Sequence, residues 1–199
     1  AGAGTMALEG SITYPGATNV AAGTLLLDGT HTGGGAYTVA SGATLGGTGS
    51  TTSPVTVQAG GTLAPDGDFG TGNLDLEPLS FLTIGLDSLT VFDNVVVTGT
   101  VDVTDAQLQV LLGYAPDDGD YFVIVDNDGT ADAVTGNFLG LPEHGRIDPL
   151  FGGEPYGFWI TYQGGDGNDI AVWAVPEPTT LALLGLGSLA ALIRRRRKR

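Results

Sequence analysis

The chain has 199 residues, of which 34 are Gly, none is Cys and only 15% are charged. That composition excludes a disulfide scaffold and thiolate chemistry, and it suits an exported β-rich domain with an added tail. Six of the seven basic residues close the chain, so Arg146 alone faces 21 acids before Val175, which sets nucleic acid aside as a partner.

The opening residues repeat. A Val followed by Gly and Thr-Leu recurs from Val20 to Leu25, Val39 to Leu45 and Val57 to Leu63, the Val positions stepping by 19 and 18. That step suits one coil of a β-solenoid, with short strands broken by turns and each coil stacked about 4.8 Å from the last. Turn chemistry agrees: Leu25-Leu26-Leu27 runs into Asp28-Gly29, Tyr37-Thr38-Val39 into Ser41-Gly42, and Val55-Thr56-Val57 into Gly60-Gly61. Glycine admits the left-handed corners such turns require.

From Asn73 to Val175 strand-like runs persist without the short period: Phe81 to Leu86, Leu89 to Phe92, Val95 to Val103, Tyr121 to Val125, Phe158 to Tyr162 and Ile170 to Val175. They read as further coils and a closing cap, eight or nine coils in all, with Pro142, Pro149 and Pro155 guarding the cap's exposed edges. Asp105 to Leu112 fits a helical turn or a strand equally well. The expected class is all-β, a parallel β-helix or solenoid with a C-terminal β cap, followed by a short transmembrane helix.

Few residues offer chemistry. His31 and His144 stand 113 positions apart and read as surface turn residues, and no Lys precedes Lys198. No nucleophile elbow or phosphate loop occurs. A polysaccharide lyase needs cations, and one Arg is thin provision. The abundance of acids makes a glycosidase-like carboxylate pair uninformative. The expectation is no enzyme and no cofactor, with Ca²⁺ as the sole candidate ion. Gly164-Gly165-Asp166-Gly167-Asn168-Asp169 matches the start of a calcium-binding nonapeptide, making Asp166, Asn168 and Asp169 weak metal candidates, but a single copy with Ala171 at the apolar position reads better as a hairpin turn. Asp117, Asp118, Asp120, Asp126 and Asp128 lack the order of an EF-hand. The six Tyr with Trp159 and Trp173 would stack on sugars if they shared an outer face, a placement the sequence does not decide.

The tail is the most specific segment. Pro176-Glu177-Pro178 precedes an uncharged run of 13 residues, Leu181 to Ile193, that includes Leu183, Leu184, Leu186, Leu189 and Leu192. As a helix it reaches roughly 20 Å, short of the roughly 30 Å hydrocarbon core, which makes it a marginal span. Arg194, Arg195, Arg196, Arg197, Lys198 and Arg199 then hold the cytoplasmic boundary.

These residues resemble a PEP-CTERM sorting signal of Gram-negative bacteria. The resemblance implies export, membrane anchoring through the C-terminal helix, and release by an exosortase-type membrane protease to the cell envelope, cell surface or extracellular matrix. The opening residues resemble the autotransporter-associated β-strand repeat, through Gly4-Thr5-Met6-Ala7-Leu8-Glu9-Gly10, Tyr14-Pro15-Gly16-Ala17-Thr18-Asn19-Val20, Leu45-Gly46-Gly47-Thr48-Gly49 and Gly60-Gly61-Thr62-Leu63-Ala64-Pro65. That resemblance implies a right-handed β-helix. Because Ala1 falls inside repeat-like sequence, further coils and a signal peptide are expected upstream. The expected organisation is repeats over 1–72, further coils and cap over 73–174, and sorting signal over 175–199. The expected role is a structural or adhesive surface body, with extracellular polysaccharide among its partners. The alternatives are a calcium-dependent carbohydrate-binding module and a β-helical carbohydrate-active enzyme.

Overall fold

The computed structural model describes residues 4–128 and 133–175, and every regular element among them is a β-strand. The strands recur in triplets. The first four are β1 (Thr5–Leu8), β2 (Ser11–Ile12) and β3 (Thr18–Val20); β4 (Gly23–Leu27), β5 (Thr30–His31) and β6 (Tyr37–Val39); β7 (Ala43–Gly47), β8 (Ser50–Thr51) and β9 (Val55–Val57); and β10 (Thr62–Pro65), β11 (Asp68–Thr71) and β12 (Leu74–Leu76). A longer unit follows, made of β13 (Phe81–Ser88), β14 (Val91–Phe92), β15 (Asn94–Val97) and β16 (Val101–Asp102), and then β17 (Gln107–Leu112) and β18 (Tyr121–Asn127). Like members of successive triplets pair in parallel, building three sheets in the orders β1-β4-β7-β10-β13, β2-β5-β8-β11-β15-β18 and β3-β6-β9-β12-β16, with β17 parallel on β13.

The sequence repeat is the register of these sheets. Val20 lies beside Val39 and Val39 beside Val57, while Leu25, Leu45, Leu63 and Leu82 form a second column. Apart from the slightly accessible Val20 and Leu25 nearest the first triplet, these side chains are wholly buried. Each excludes water from its neighbours on either side, at about 25 cal/mol per Å² of apolar surface removed from solvent. At one corner the backbone is left-handed in successive units, at Gly42, Gly60, Leu79 and Asp105. The N–H of each of the first three donates to the carbonyl of the next, and that of Asp105 donates to Asn137.

The period lengthens where the chain inserts β14, antiparallel to β13. Among the described residues six strands stand in parallel series, β1, β4, β7, β10, β13 and β17, against the eight or nine coils expected. The remaining length makes a cap instead: β19 (Arg146–Ile147), β20 (Leu150–Phe151), β21 (Glu154–Pro155), β22 (Gly157–Gly164) and β23 (Asp169–Val175). The second sheet continues β18-β23-β22-β19 with every added pair antiparallel. Thr135 to Leu139 covers the last triplet, with Thr135 and Asn137 accepting from Val103 and Asp105 and Phe138 buried beneath.

Three strand readings need correction or completion: of Leu89 to Phe92 only Val91–Phe92 is a strand, Leu89 and Thr90 making the turn out of β13. Val95 to Val103 is not one strand, because Thr98-Gly99-Thr100 turns the corner between β15 and β16. Within Asp105 to Leu112, Gln107 to Leu112 forms the strand β17, since the free edge of β13 offers its whole length from Phe81 to Leu86 for pairing. Among the described residues no helix is long and apolar enough to cross a membrane. The expected transmembrane run, Leu181 to Ile193, lies outside the described residues.

Candidate functional site

The turn proposed as a metal candidate is a hairpin. Gly164 to Asp169 joins β22 to β23, with Gly165 and Gly167 at φ +52° and +120° and the N–H of Gly167 donating to Gly164. Asp169 is buried, and its Oδ1 accepts from the backbone N–H of Asn127 at 2.8 Å. Its carboxyl sits above the ordinary carboxylate range, chiefly through burial, with the Asn127 bond opposing and the Asp126 charge adding. Asp166 points to solvent and Asn168 is buried. Among the described residues no three His, Cys, Asp or Glu side chains are placed to hold a metal ion.

His31 is not a surface turn residue. It is wholly buried, its Nε2 2.9 Å from the Tyr14 carbonyl and its Nδ1 2.9 Å from the Tyr37 hydroxyl. A carbonyl only accepts, so Nε2 donates to it, and in the neutral imidazole Nδ1 then accepts from the Tyr37 hydroxyl. The sequence misleads here because a turn-like Gly29-Thr30-His31 folds as the strand β5, whose side chain points inward between Ile12 and Thr51. His144 is exposed as expected.

A second buried phenol organises the cap. The Tyr162 hydroxyl accepts from the N–H of Phe138 at 2.9 Å and donates to the Leu141 carbonyl at 2.7 Å. Its pKa is pushed up to about 12, first by burial, with the Phe138 bond pulling down and Glu143 pushing up. Glu143 in turn accepts from the Thr161 hydroxyl at 2.6 Å and the Tyr162 N–H at 2.8 Å.

The most distinctive surface lies on the outer face of the cap sheet. Arg146 is directly opposite Trp159, Trp159 opposite Trp173, and Trp173 opposite Tyr121, so one row crosses β19, β22, β23 and β18. Strand alternation turns Phe158, Ile160, Val172, Ala174 and Phe122 to the other face, where all are buried. Trp159 and Tyr121 are each 43% exposed. The two indoles meet edge to face at 5.9 Å and 84°, and His144 stands edge-on to Trp173 at 5.9 Å. His144 does so from a left-handed backbone, φ +58°, unusual for a residue with a side chain. Gly157 leaves room for the Arg146 guanidinium, since a Cβ there would meet Nη2 at 2.3 Å, and Arg146 Nε donates to Asp148 at 2.7 Å. Sequence reasoning offered the aromatic residues but not this row. The two Trp are 14 positions apart and Tyr121 is 38 before the nearer, and no local period predicts strand neighbours across such gaps.

The sorting residues Pro176, Glu177 and Pro178 and the basic cluster Arg194 to Arg199 lie outside the described residues, directly after β23 ends at Val175. Residues 174–198 match the family model of the PEP-CTERM protein-sorting motif. No curated protein and no solved structure matches the chain. The motif supports export through exosortase-type sorting with processing at the membrane.

Proposed function

We propose that residues 1–174 are the cargo of this sorting tail, a non-enzymatic structural or adhesive body for the cell surface or extracellular matrix. The observation that carries the reading is the position of the motif, which begins at residue 174, at the end of the last strand of the cap. A processing site placed there is separated from the folded body by only a residue or two, so cleavage would release the body whole. The parallel triplets support reading residues 1–72 as autotransporter-associated repeats and the stack as a right-handed β-helix, the hand that parallel crossovers adopt in about 98% of cases. The short, uncharged Leu181 to Ile193 run then anchors the unprocessed chain in the membrane as a marginal span, with the terminal cations on the cytoplasmic side.

Intact-mass measurement on protein recovered from the surface and medium of the producing cells tests this. The expected species lacks Arg194 to Arg199. Recovery of the full-length C-terminus in that fraction, or of the processed body in the cytoplasm alone, would reject the reading.

A further inference from the structure

We propose that the Trp159, Trp173 and Tyr121 row is a binding platform for a neutral, linear glycan chain lying across the strands of the cap sheet. Three features carry this. The row is built on paired strands, His144 packs against Trp173 and the Tyr121 hydroxyl accepts from Gly165 in the hairpin turn, so its rings are held in place and little order remains to be imposed on binding. From Arg146 to Tyr121 it spans three strand spacings, about 14 Å, room for about three pyranose rings laid end to end. The C–H faces of a sugar ring carry slight positive charge and meet the negative face of an aromatic ring; with the indoles at 84°, the more exposed Trp159 supplies that face and Trp173 buttresses it, while the sugar hydroxyls need polar neighbours. Thr161 and Gln163 share the outer face of β22 with Trp159, and Asp148 and Glu143 border it.

The charge around the row selects among ligands. Arg146 is the only cation before the tail, and Asp148 already engages it. The carboxylates of Asp148, bonded to Arg146, and Glu143, bonded to Thr161, border the row on its outer face. An acidic polysaccharide or an anionic lipid surface would meet those carboxylates. An uncharged sugar chain meets no such penalty, and its hydroxyls can donate to them.

The surface destination proposed above gives this site its purpose, but the site's chemistry is testable without it. Purified full-length chain is titrated with hexaoses of β-1,4-glucose, β-1,3-glucose, β-1,4-mannose and β-1,4-xylose, following tryptophan fluorescence. Polygalacturonate and phosphatidylglycerol vesicles are titrated in parallel. The expected result is saturable binding of at least one neutral hexaose, weakened about tenfold or more by Trp159→Ala and largely kept by Trp159→Phe. Thermal melting of both variants shows that the fold is retained. No binding by any neutral hexaose, binding indifferent to Trp159→Ala, or tighter binding to polygalacturonate or the vesicles would each overturn the proposal. Sorting is read separately, by mass and cell fractionation, so either idea can fail alone.

Discussion

Tyr162 shows how much of the cap depends on single polar atoms. Its hydroxyl serves as acceptor for Phe138 and donor to Leu141, tying the segment that covers the last triplet to the strand β22. Removing that oxygen leaves the buried N–H of Phe138 without its acceptor, a desolvation cost of about 1–3 kcal/mol. Tyr162→Phe is therefore expected to lower stability by about that amount in denaturant melts, with little loss of apolar packing because the ring remains. An unchanged midpoint would mean that water replaces the hydroxyl. The His31 and Tyr37 pair follows the same logic at the other end of the molecule, where each ring nitrogen of a wholly buried imidazole has one partner. Neither arrangement is visible in the sequence, because a local pattern shows only that a side chain points inward, not which polar atom it meets.

At the scale of elements, the corner before each strand of the first sheet is the repeated constraint. Gly42 and Gly60 sit there with φ +75° and +77°, and a Cβ on Gly60 would come within 2.6 Å of the Ser41 hydroxyl. Gly60→Ala should cost about 1–2 kcal/mol through the left-handed backbone, with the Ser41 contact adding to it. Gly42→Ala, open around its Cβ, should cost only the backbone part. Equal effects of the two, compared by thermal melting, would show that the contact is relieved by a rotation of Ser41. This corner also marks where the sequence was legible. The Val and Leu columns follow from the 19 and 18 residue steps because each unit repeats the same strand and turn. The hairpin between β22 and β23 was legible too, because Gly and Asp cluster between two alternating apolar runs. The later units were not, since β14 lengthens the unit and the non-glycine residues Leu79 and Asp105 hold the corner by stacking on their neighbours. The aromatic row emerges only from pairing between strands distant in the chain.

The whole body is an acidic object, and its carboxylates bear on its stability in a definite direction. Asp93 and Asp169 sit above the ordinary carboxylate range chiefly through burial, and Asp75, exposed on β12, is raised by partial desolvation and then by the charges of Asp102 and Glu77. Asp75 also faces Asp102 directly across β12 and β16, a like-charge pair. Asp93 gains partial relief from the N–H groups of Gly85 and Gly67, at 2.7 and 2.8 Å. Raised values mean that the folded chain binds these protons more tightly than the unfolded chain does. The stability they contribute is thus fully present below the unfolded carboxylate value and is lost as pH rises through the raised values. Melting temperature is expected to be higher near pH 5 than at pH 7.5, and added salt at pH 7.5 should recover part of the difference by screening the remaining acids. Asp75→Asn should raise the melting temperature at pH 7.5 and flatten the pH dependence. Asp93→Asn should not mimic it, because an amide places a second donor against the N–H groups that the carboxylate now satisfies. If stability instead falls between pH 7.5 and 5, the carboxylates act mainly as acceptors for buried N–H groups, and repulsion across the body is the smaller effect.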